Sequence, residues 1–121
     1  LGPGCCDPLY RKATRVSVAA TLCVPYTDVD RWPDGLARLS AAGFELAAFT
    51  PEHGATDVAA LAARARGRCR LALLFGAEGA GLSPVALAAA DLRVRIPIAD
   101  GVDSLNVTTA VAIALHRLVR P

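Results

Sequence analysis

Four short apolar segments alternate along this chain with five segments that carry the end signals of helices. The clearest apolar segment, residues 71–75 (LALLF), is apolar at every position and not only at every second one. Strands of that kind are buried on both faces, as in a parallel sheet whose crossover connections place helices on either side. The alternation therefore predicts an α/β domain built on a parallel sheet with helices on both faces.

The ends of these segments are set by residues that start or stop helices. Asp7 followed by Pro8, and Ser83 followed by Pro84, are typical of helix N-termini, and Gly43 is typical of the position after a helix. The predicted strands are residues 21–26, 44–50, 69–76 and 92–98. The predicted helices are residues 7–20, a segment from Asp30 or Asp34 to 43, and residues 56–67, 83–91 and 104–119.

Size and hydropathy favour one domain that does not enter a membrane. The chain has 121 residues, enough for a single modest core. No apolar run reaches the roughly 18 residues that cross a bilayer, and the N-terminus lacks the order of a signal peptide. We therefore expect a cytoplasmic protein. Methionine is absent, including at position 1, and we expect the chain to be a fragment of a longer protein.

Cysteine and histidine spacing gives no indication of a metal site, and we expect none. The four cysteines, at positions 5, 6, 23 and 69, form no C-x-x-C pair, and His53 and His116 are isolated. Charge is uneven, because residues 1–60 carry five basic and seven acidic side chains, whereas residues 61–121 carry eight and four. Arg64, Arg66, Arg68 and Arg70 form a cluster that either contacts phosphate or is a solvated helix end.

Two loops have unusual chemistry, and both follow predicted strands. In a parallel sheet, ligands bind beyond the carboxyl ends of the strands. The first loop, GAEGAGLSP, has glycines at 76, 79 and 81, which permit tight turns and close approach to a ligand. Its spacing matches neither a dinucleotide-binding fingerprint nor a P-loop. Glu78 suits a ligand with hydrogen-bond donors, or it fixes neighbouring amides of the loop.

The second loop, residues 99–106 (ADGVDSLN), leads into the last helix. Ser104 is a candidate N-cap for that helix. Asn106 either caps the helix or reaches a ligand. Free N–H groups at the helix start suit a ligand edge that is rich in acceptors.

Residues 71–118 resemble the C-terminal motifs of the SpoU (TrmH-like) RNA 2′-O-ribose methyltransferases of the SPOUT class. The motifs occur in the family's order: G-x-E-G-x-G-L after a strand, then I-P, then S-L-N-V entering a helix. Residues 11–25 also resemble the family's helix-then-strand segment, with Ala19 where glycine is usual. The resemblance implies an α/β fold with a C-terminal trefoil knot, in which residues 1–121 are the catalytic domain without its N-terminal strands.

The resemblance also implies a ligand and partners. Members bind S-adenosyl-L-methionine in the knot, methylate tRNA or rRNA, and form homodimers, and residues 107–119 either contribute to the dimer interface or are buried in the monomer. Main-chain contacts to adenosine are expected from Gly76, Ile96 and Leu105, and Ser104 and Asn106 are candidates for a catalytic role. The expected cofactor-binding residues are Gly76, Glu78, Gly79, Gly81, Ile96, Ile98, Gly101, Ser104, Leu105 and Asn106.

One family motif has no match. The N-x-G-x-x-x-R motif, whose arginine is assigned to catalysis in the family, does not occur in this sequence. We therefore expect the isolated chain to bind the cofactor weakly and to transfer no methyl group. The alternative is a non-catalytic RNA-binding or dimerisation module on the same scaffold. An unrelated Rossmann-like or flavodoxin-like domain is disfavoured, because the phosphate-binding fingerprint is missing.

Overall fold

The computed structural model describes residues 1–29, 31–65 and 70–119, in which a four-stranded parallel sheet is the central element. The strands are β1 (Phe44–Phe49), β2 (Thr56–Asp57), β3 (Arg70–Leu74) and β4 (Leu92–Arg95), in the order β2-β4-β1-β3. Every neighbouring pair is parallel, so the predicted sheet type is confirmed. The helices are α1 (Arg11–Val16), α2 (Asp34–Ala41), α3 (Val58–Arg64), α4 (Pro84–Ala89) and α5 (Val107–Leu118).

The main core lies between the sheet and helices α3 and α5. Ala47 and Val94 of the sheet are buried against Val58 and Leu61 of α3, and Leu118 of α5 packs on the same cluster. The alternation of side chains along a strand directs Leu46 and Ala48 to the opposite face of β1, where they are also buried. Burial on both faces explains why residues 46–49 of β1 are continuously apolar.

Helix α5 is the long apolar helix for which the sequence left two predictions open. Its Ala114 is fully buried and its Leu118 packs on the core cluster, whereas Leu115 is exposed. The helix is therefore part of the monomer core on one side. Its other side remains accessible.

Asp91 joins the start of β4 to the middle of β1. Its Oδ2 accepts a hydrogen bond from the backbone N of Leu46 at 2.8 Å, and its own backbone N donates to the carbonyl of Leu46 at 3.0 Å. This reciprocal pair extends the β1–β4 ladder by one step before its first paired residues, Ala47 and Leu92. A single side chain thus fixes the register of two strands whose carboxyl ends reach the candidate site.

The chain divides into two compact units, and the first, Leu1–Gly35, departs from the sequence prediction. The predicted helix 7–20 is shorter, because Asp7 accepts from the backbone N of Leu9 at 2.8 Å and so stabilises a turn that precedes α1. The predicted strand 21–26 is wrong. Residues Ala20–Leu22 form a 3₁₀ turn, and the apolar residues after it are exposed. Apolar composition predicts a strand only where a neighbouring strand supplies hydrogen bonds.

A left-handed backbone turn separates α1 from this 3₁₀ turn. Val18 and Ala19 have φ values of 52° and 62°, in the region that favours glycine. Position 19 is the one at which the resembling family usually carries glycine. The backbone conformation gives a physical reason for that preference.

The remaining predicted elements agree with the structure within a few residues. Helix α2 begins at Asp34, and Asp30, the alternative start, lies outside the described residues. Helix α3 begins one residue after Asp57, whose Oδ1 accepts from the backbone N of Ala59 at 2.7 Å. Residues 66–69, which include the predicted end of this helix and the predicted start of the next strand, also lie outside the described residues.

Candidate functional site

A cavity of about 410 Å³ lies at the carboxyl ends of strands β1, β3 and β4. Its volume is within the range of small-molecule sites, and its position is the one at which parallel sheets bind ligands. Nine of the ten residues predicted to bind a cofactor line it: Gly76, Glu78, Gly79, Gly81, Ile96, Ile98, Ser104, Leu105 and Asn106. The tertiary structure therefore brings together two loops that are separated in the sequence by α4 and β4.

Gly101 is the predicted residue that the structure does not place in the cavity lining. It is exposed and has a φ of 85°, next to a turn in which the backbone N of Val102 donates to the carbonyl of Ala99 at 3.2 Å. The positive φ in this turn explains why position 101 carries glycine. Gly101 therefore has a turn-forming role in this structure, and its contact with a cofactor stays a prediction.

The glycine-rich loop after β3 folds back on itself. A Cβ atom at Gly76 would lie 2.0 Å from the carbonyl carbon of Gly81 and 2.2 Å from the backbone N of Leu82, so a side chain cannot be accommodated without moving backbone. A hydrogen bond of 3.0 Å, from the backbone N of Gly81 to the carbonyl of Ala77, closes this loop. Gly81 has a φ of 66°, which a glycine adopts without strain. The loop needs glycine at both ends for steric reasons.

Asn106 connects this loop to helix α5. Its Nδ2 donates to Glu78 Oε1 at 2.6 Å, and its Oδ1 accepts from the backbone N of Thr108 at 3.0 Å. Asn106, and not Ser104, is thus the N-cap of α5, which corrects the sequence prediction for Ser104. One residue, Leu105, separates the two candidates, and only the residue that immediately precedes the first helical turn can reach the N–H groups of that turn.

Glu78 is the titratable side chain among the described lining residues. One of its carboxylate oxygens accepts from Asn106, and a carboxylate can accept several hydrogen bonds. The pair is exposed at the mouth of the cavity. It can fix the two loops and also accept hydrogen bonds from hydroxyl or amino groups of a ligand.

An aromatic pair that sequence reasoning missed forms part of the wall. Phe49 and Phe75 are stacked, with ring centroids 4.5 Å apart and an interplanar angle of 17°, and both line the cavity. Thr50 and Pro51, which follow β1, line it as well. The missed signal was positional, since Phe49 and Phe75 each stand at the end of an apolar strand segment, where parallel sheets bind ligands.

Two of the four arginines in the cluster, Arg64 and Arg70, already make contacts with other residues of the chain. Arg64 forms an ion pair with Glu45. Arg70 donates to the carbonyl of Ala42 at 3.1 Å, and its guanidinium lies 4.9 Å from the centroid of the Phe44 ring. Arg66 and Arg68 lie outside the described residues. Arg64 at the end of α3 and Arg70 at the start of β3 thus make contacts within the chain, which favours the interpretation of a solvated surface over a phosphate site.

Neither a metal cluster nor a membrane-spanning helix occurs in the described part of the chain. Within residues 1–29, 31–65 and 70–119, no group of three or more His, Cys, Asp or Glu side chains is arranged to hold a metal ion. Across the same ranges, every helix is too short or too polar to cross a membrane.

Known proteins resemble this chain over nearly its whole length. The sequence model of the SpoU rRNA Methylase family matches residues 1–116. A Mycobacterium tuberculosis protein named as an uncharacterized tRNA/rRNA methyltransferase is 50% identical over 119 residues, which are 98% of this chain and 41% of that protein. A 23S rRNA (guanosine-2′-O-)-methyltransferase from Burkholderia is 35% identical over 112 residues, 93% of this chain and 43% of that protein.

Solved structures agree with these sequence matches. The AdoMet-bound rRNA methyltransferase from Sinorhizobium meliloti superposes with a TM-score of 0.83 at 29% identity, covering 98% of this chain and 43% of that one. This chain spans about two fifths of the length of the relatives described above.

Proposed function

The chain belongs to the SpoU rRNA Methylase family, and on that premise we propose that it forms the cofactor-binding part of an RNA 2′-O-ribose methyltransferase. The proposed methyl donor is S-adenosyl-L-methionine, and the proposed substrate is tRNA or rRNA. The C-terminal trefoil knot, the homodimer and a cytoplasmic location belong to the same proposal. They are supported by the family membership and by the likeness to methyltransferase structures.

The observation that carries this proposal is the convergence of three motifs on one cavity. The segments GAEGAGL, IPI and SLNV are separated in sequence, yet each contributes to the lining at the carboxyl ends of the strands. The lining combines apolar side chains with backbone groups of loops and a helix start. Such a mixture suits an adenosine, whose base has an apolar face and a polar edge.

The residues that are present fit this cofactor. Gly76, Ile96 and Leu105 can offer main-chain groups to the base and ribose, because a loop without a bulky side chain at Gly76 brings backbone close to the cavity. The carboxylate of Glu78 can accept from hydroxyl or amino groups, while Asn106 holds it in place. When bound, S-adenosyl-L-methionine supplies an electrophilic methyl group on its sulfonium.

Activation of the ribose hydroxyl is a separate requirement. An alcohol is a poor nucleophile and needs a base or a strong hydrogen-bond acceptor. Ser104 and Asn106 stay candidates for positioning the reacting groups. The side-chain nitrogen and the side-chain oxygen of Asn106, however, already make hydrogen bonds within the chain. The family's catalytic arginine motif has no match in the sequence. We therefore propose that these 121 residues bind the cofactor and transfer no methyl group on their own.

Calorimetric titration of the chain with S-adenosyl-L-homocysteine tests the binding step. We expect saturable heat of binding for the unaltered chain and a weaker response for Ala110→Leu, because Ala110 lines the cavity. Ala112→Leu is the matched control, since Ala112 is exposed on the same helix. No binding by the unaltered chain would contradict the proposal. Methyl transfer to RNA by the chain alone would contradict its catalytic limitation.

A non-catalytic RNA-binding or dimerisation module remains the second candidate, favoured by the absence of the arginine motif. It predicts RNA binding or self-association that does not respond to the cofactor. Titration with RNA in the presence and absence of S-adenosyl-L-homocysteine separates the two functions.

A further inference from the structure

We infer that the ring of Phe75, backed by the ring of Phe49 that stacks on it, forms a stacking platform for the adenine base within the cavity. The inference rests on the proposed function, because it assigns one part of the proposed cofactor to one part of the site. None of the three motifs that define the cavity includes Phe49, and Phe75 only precedes the first of them.

Strand register explains how the two rings meet. The paired residues Ala48 and Leu74 are the last of the β1–β3 ladder, so the residues that follow each of them lie side by side. The side chains of Phe49 and Phe75 then stack with a centroid separation of 4.5 Å and an angle of 17°. They are the aromatic side chains among the described lining residues of the cavity.

The distribution of polarity indicates which part of a ligand meets these rings. Phe49, Phe75 and Ile96 are half-buried at the strand ends, whereas Glu78 and Asn106 are exposed at the mouth. Burying a charged group without partners is costly, so the charged amino-acid tail is expected towards the mouth. The planar base is the ligand part that gains from the apolar end of the cavity.

Aromatic stacking supplies more than burial of apolar area. Alanine substitution of an aromatic side chain that stacks on a base weakens binding roughly fivefold or more. A leucine at the same position retains most of the apolar contact and loses the π-face. The platform therefore predicts that replacing the aromatic ring by leucine weakens binding. The loss of affinity should be the same for every ligand that carries adenine.

Calorimetric titrations with adenosine and with S-adenosyl-L-homocysteine test the inference on the full chain. We expect Phe75→Leu to weaken the binding of both ligands by the same factor, roughly fivefold or more, and Phe49→Leu to weaken it less, because Phe49 only backs the Phe75 ring. Phe75→Tyr retains the ring and is expected to bind like the unaltered chain. Phe44→Leu is the matched control, because Phe44 stands at the opposite end of β1 and does not line the cavity.

A spectroscopic readout separates stacking from a structural role. Stacking lowers the ultraviolet absorption of adenine, and this decrease should accompany binding to the unaltered chain and to Phe75→Tyr, and be smaller for Phe75→Leu. Phe49 also packs on the core cluster, so circular dichroism must confirm that its variant is folded. If that variant fails to fold, the comparison of Phe75→Leu with Phe75→Tyr decides the outcome.

The possible results are distinguishable. If the unaltered chain binds both ligands and the folded leucine variants bind them equally well, the platform is overturned while the proposed function stands. If the chain binds adenosine in the predicted way but not S-adenosyl-L-homocysteine, the platform is supported and the cofactor assignment fails. If it binds neither ligand, both proposals are overturned.

Discussion

Asn106 and Glu78, 28 positions apart in the sequence, are joined by a hydrogen bond of 2.6 Å from Asn106 Nδ2 to Glu78 Oε1. The same asparagine caps α5 by accepting from the backbone N of Thr108. One side chain therefore fixes the start of the last helix and the loop after β3 relative to each other. Both segments line the cavity, so this amide links two parts of its wall.

Substitutions at Asn106 should separate its two contacts. Asn106→Ala removes both and should lower the free energy of unfolding by about 0.5–2 kcal/mol, the usual cost of losing an N-cap. Asn106→Asp retains the cap acceptor but opposes the Glu78 carboxylate, so it should weaken ligand binding more than stability. Urea denaturation and calorimetric titration measure the two effects.

Two further variants control this prediction. Glu78→Gln combined with Asn106→Asp restores a donor and an acceptor in reversed positions and should recover part of the affinity. Ser104→Ala should change stability by less than about 0.5 kcal/mol, because Ser104 is exposed and does not cap the helix. A larger loss for Ser104→Ala than for Asn106→Ala would show that the N-cap assignment is wrong.

Gly76→Ala should disrupt the loop after β3. The added Cβ would lie 2.0 Å from the carbonyl carbon of Gly81, so the backbone of the loop must move. We expect a loss of more than about 1 kcal/mol of unfolding free energy, together with loss of ligand binding. Gly54→Ala is the matched control, since a Cβ added there would meet no atom within 4 Å and the φ of Gly54 is not in the left-handed region. Equal thermal stability of the two variants would contradict the steric argument.

Ala19→Gly should stabilise the chain. Alanine in the left-handed region costs roughly 1–2 kcal/mol, and the added flexibility of glycine in the unfolded state offsets about 0.4–1 kcal/mol of that gain. A net increase of about 0.5–1 kcal/mol in unfolding free energy is expected. Ala13→Gly, within α1, is the control and should destabilise by about 1 kcal/mol. If both changes destabilise equally, the left-handed conformation at position 19 is refuted.

Asp91→Ala should weaken the pairing of β1 with β4. It leaves the backbone N–H of the buried Leu46 without its acceptor, a loss of about 1–3 kcal/mol in unfolding free energy. Asp103→Ala, in the exposed loop before α5, should have an effect below about 0.5 kcal/mol. Chemical denaturation compares them, and an equal effect at both positions would rule out the role of Asp91 in joining the strands.

Local sequence signals were sufficient for most of the sheet and for both loops. A continuous apolar run predicted β3, as expected for a strand that is buried on both faces, and largely apolar segments predicted β1 and β4, although Glu45, Arg93 and Arg95 lie within those two strands. The same reasoning failed at residues 21–26, which are apolar but pair with no strand among the described residues. The failure shows that apolar composition predicts burial in a sheet only if neighbouring strands exist.

Within the candidate site, the sequence by itself determined which segments carry the unusual chemistry, because glycine, capping residues and strand ends are local properties. Only the tertiary structure decided which members of those segments do what. It made Asn106 the cap in place of Ser104, moved Gly101 to a turn, and stacked Phe49 on Phe75. The stacked pair depends on a contact with another segment, and the cap and the turn depend on the backbone conformation at their positions. Composition and spacing predict neither kind of information.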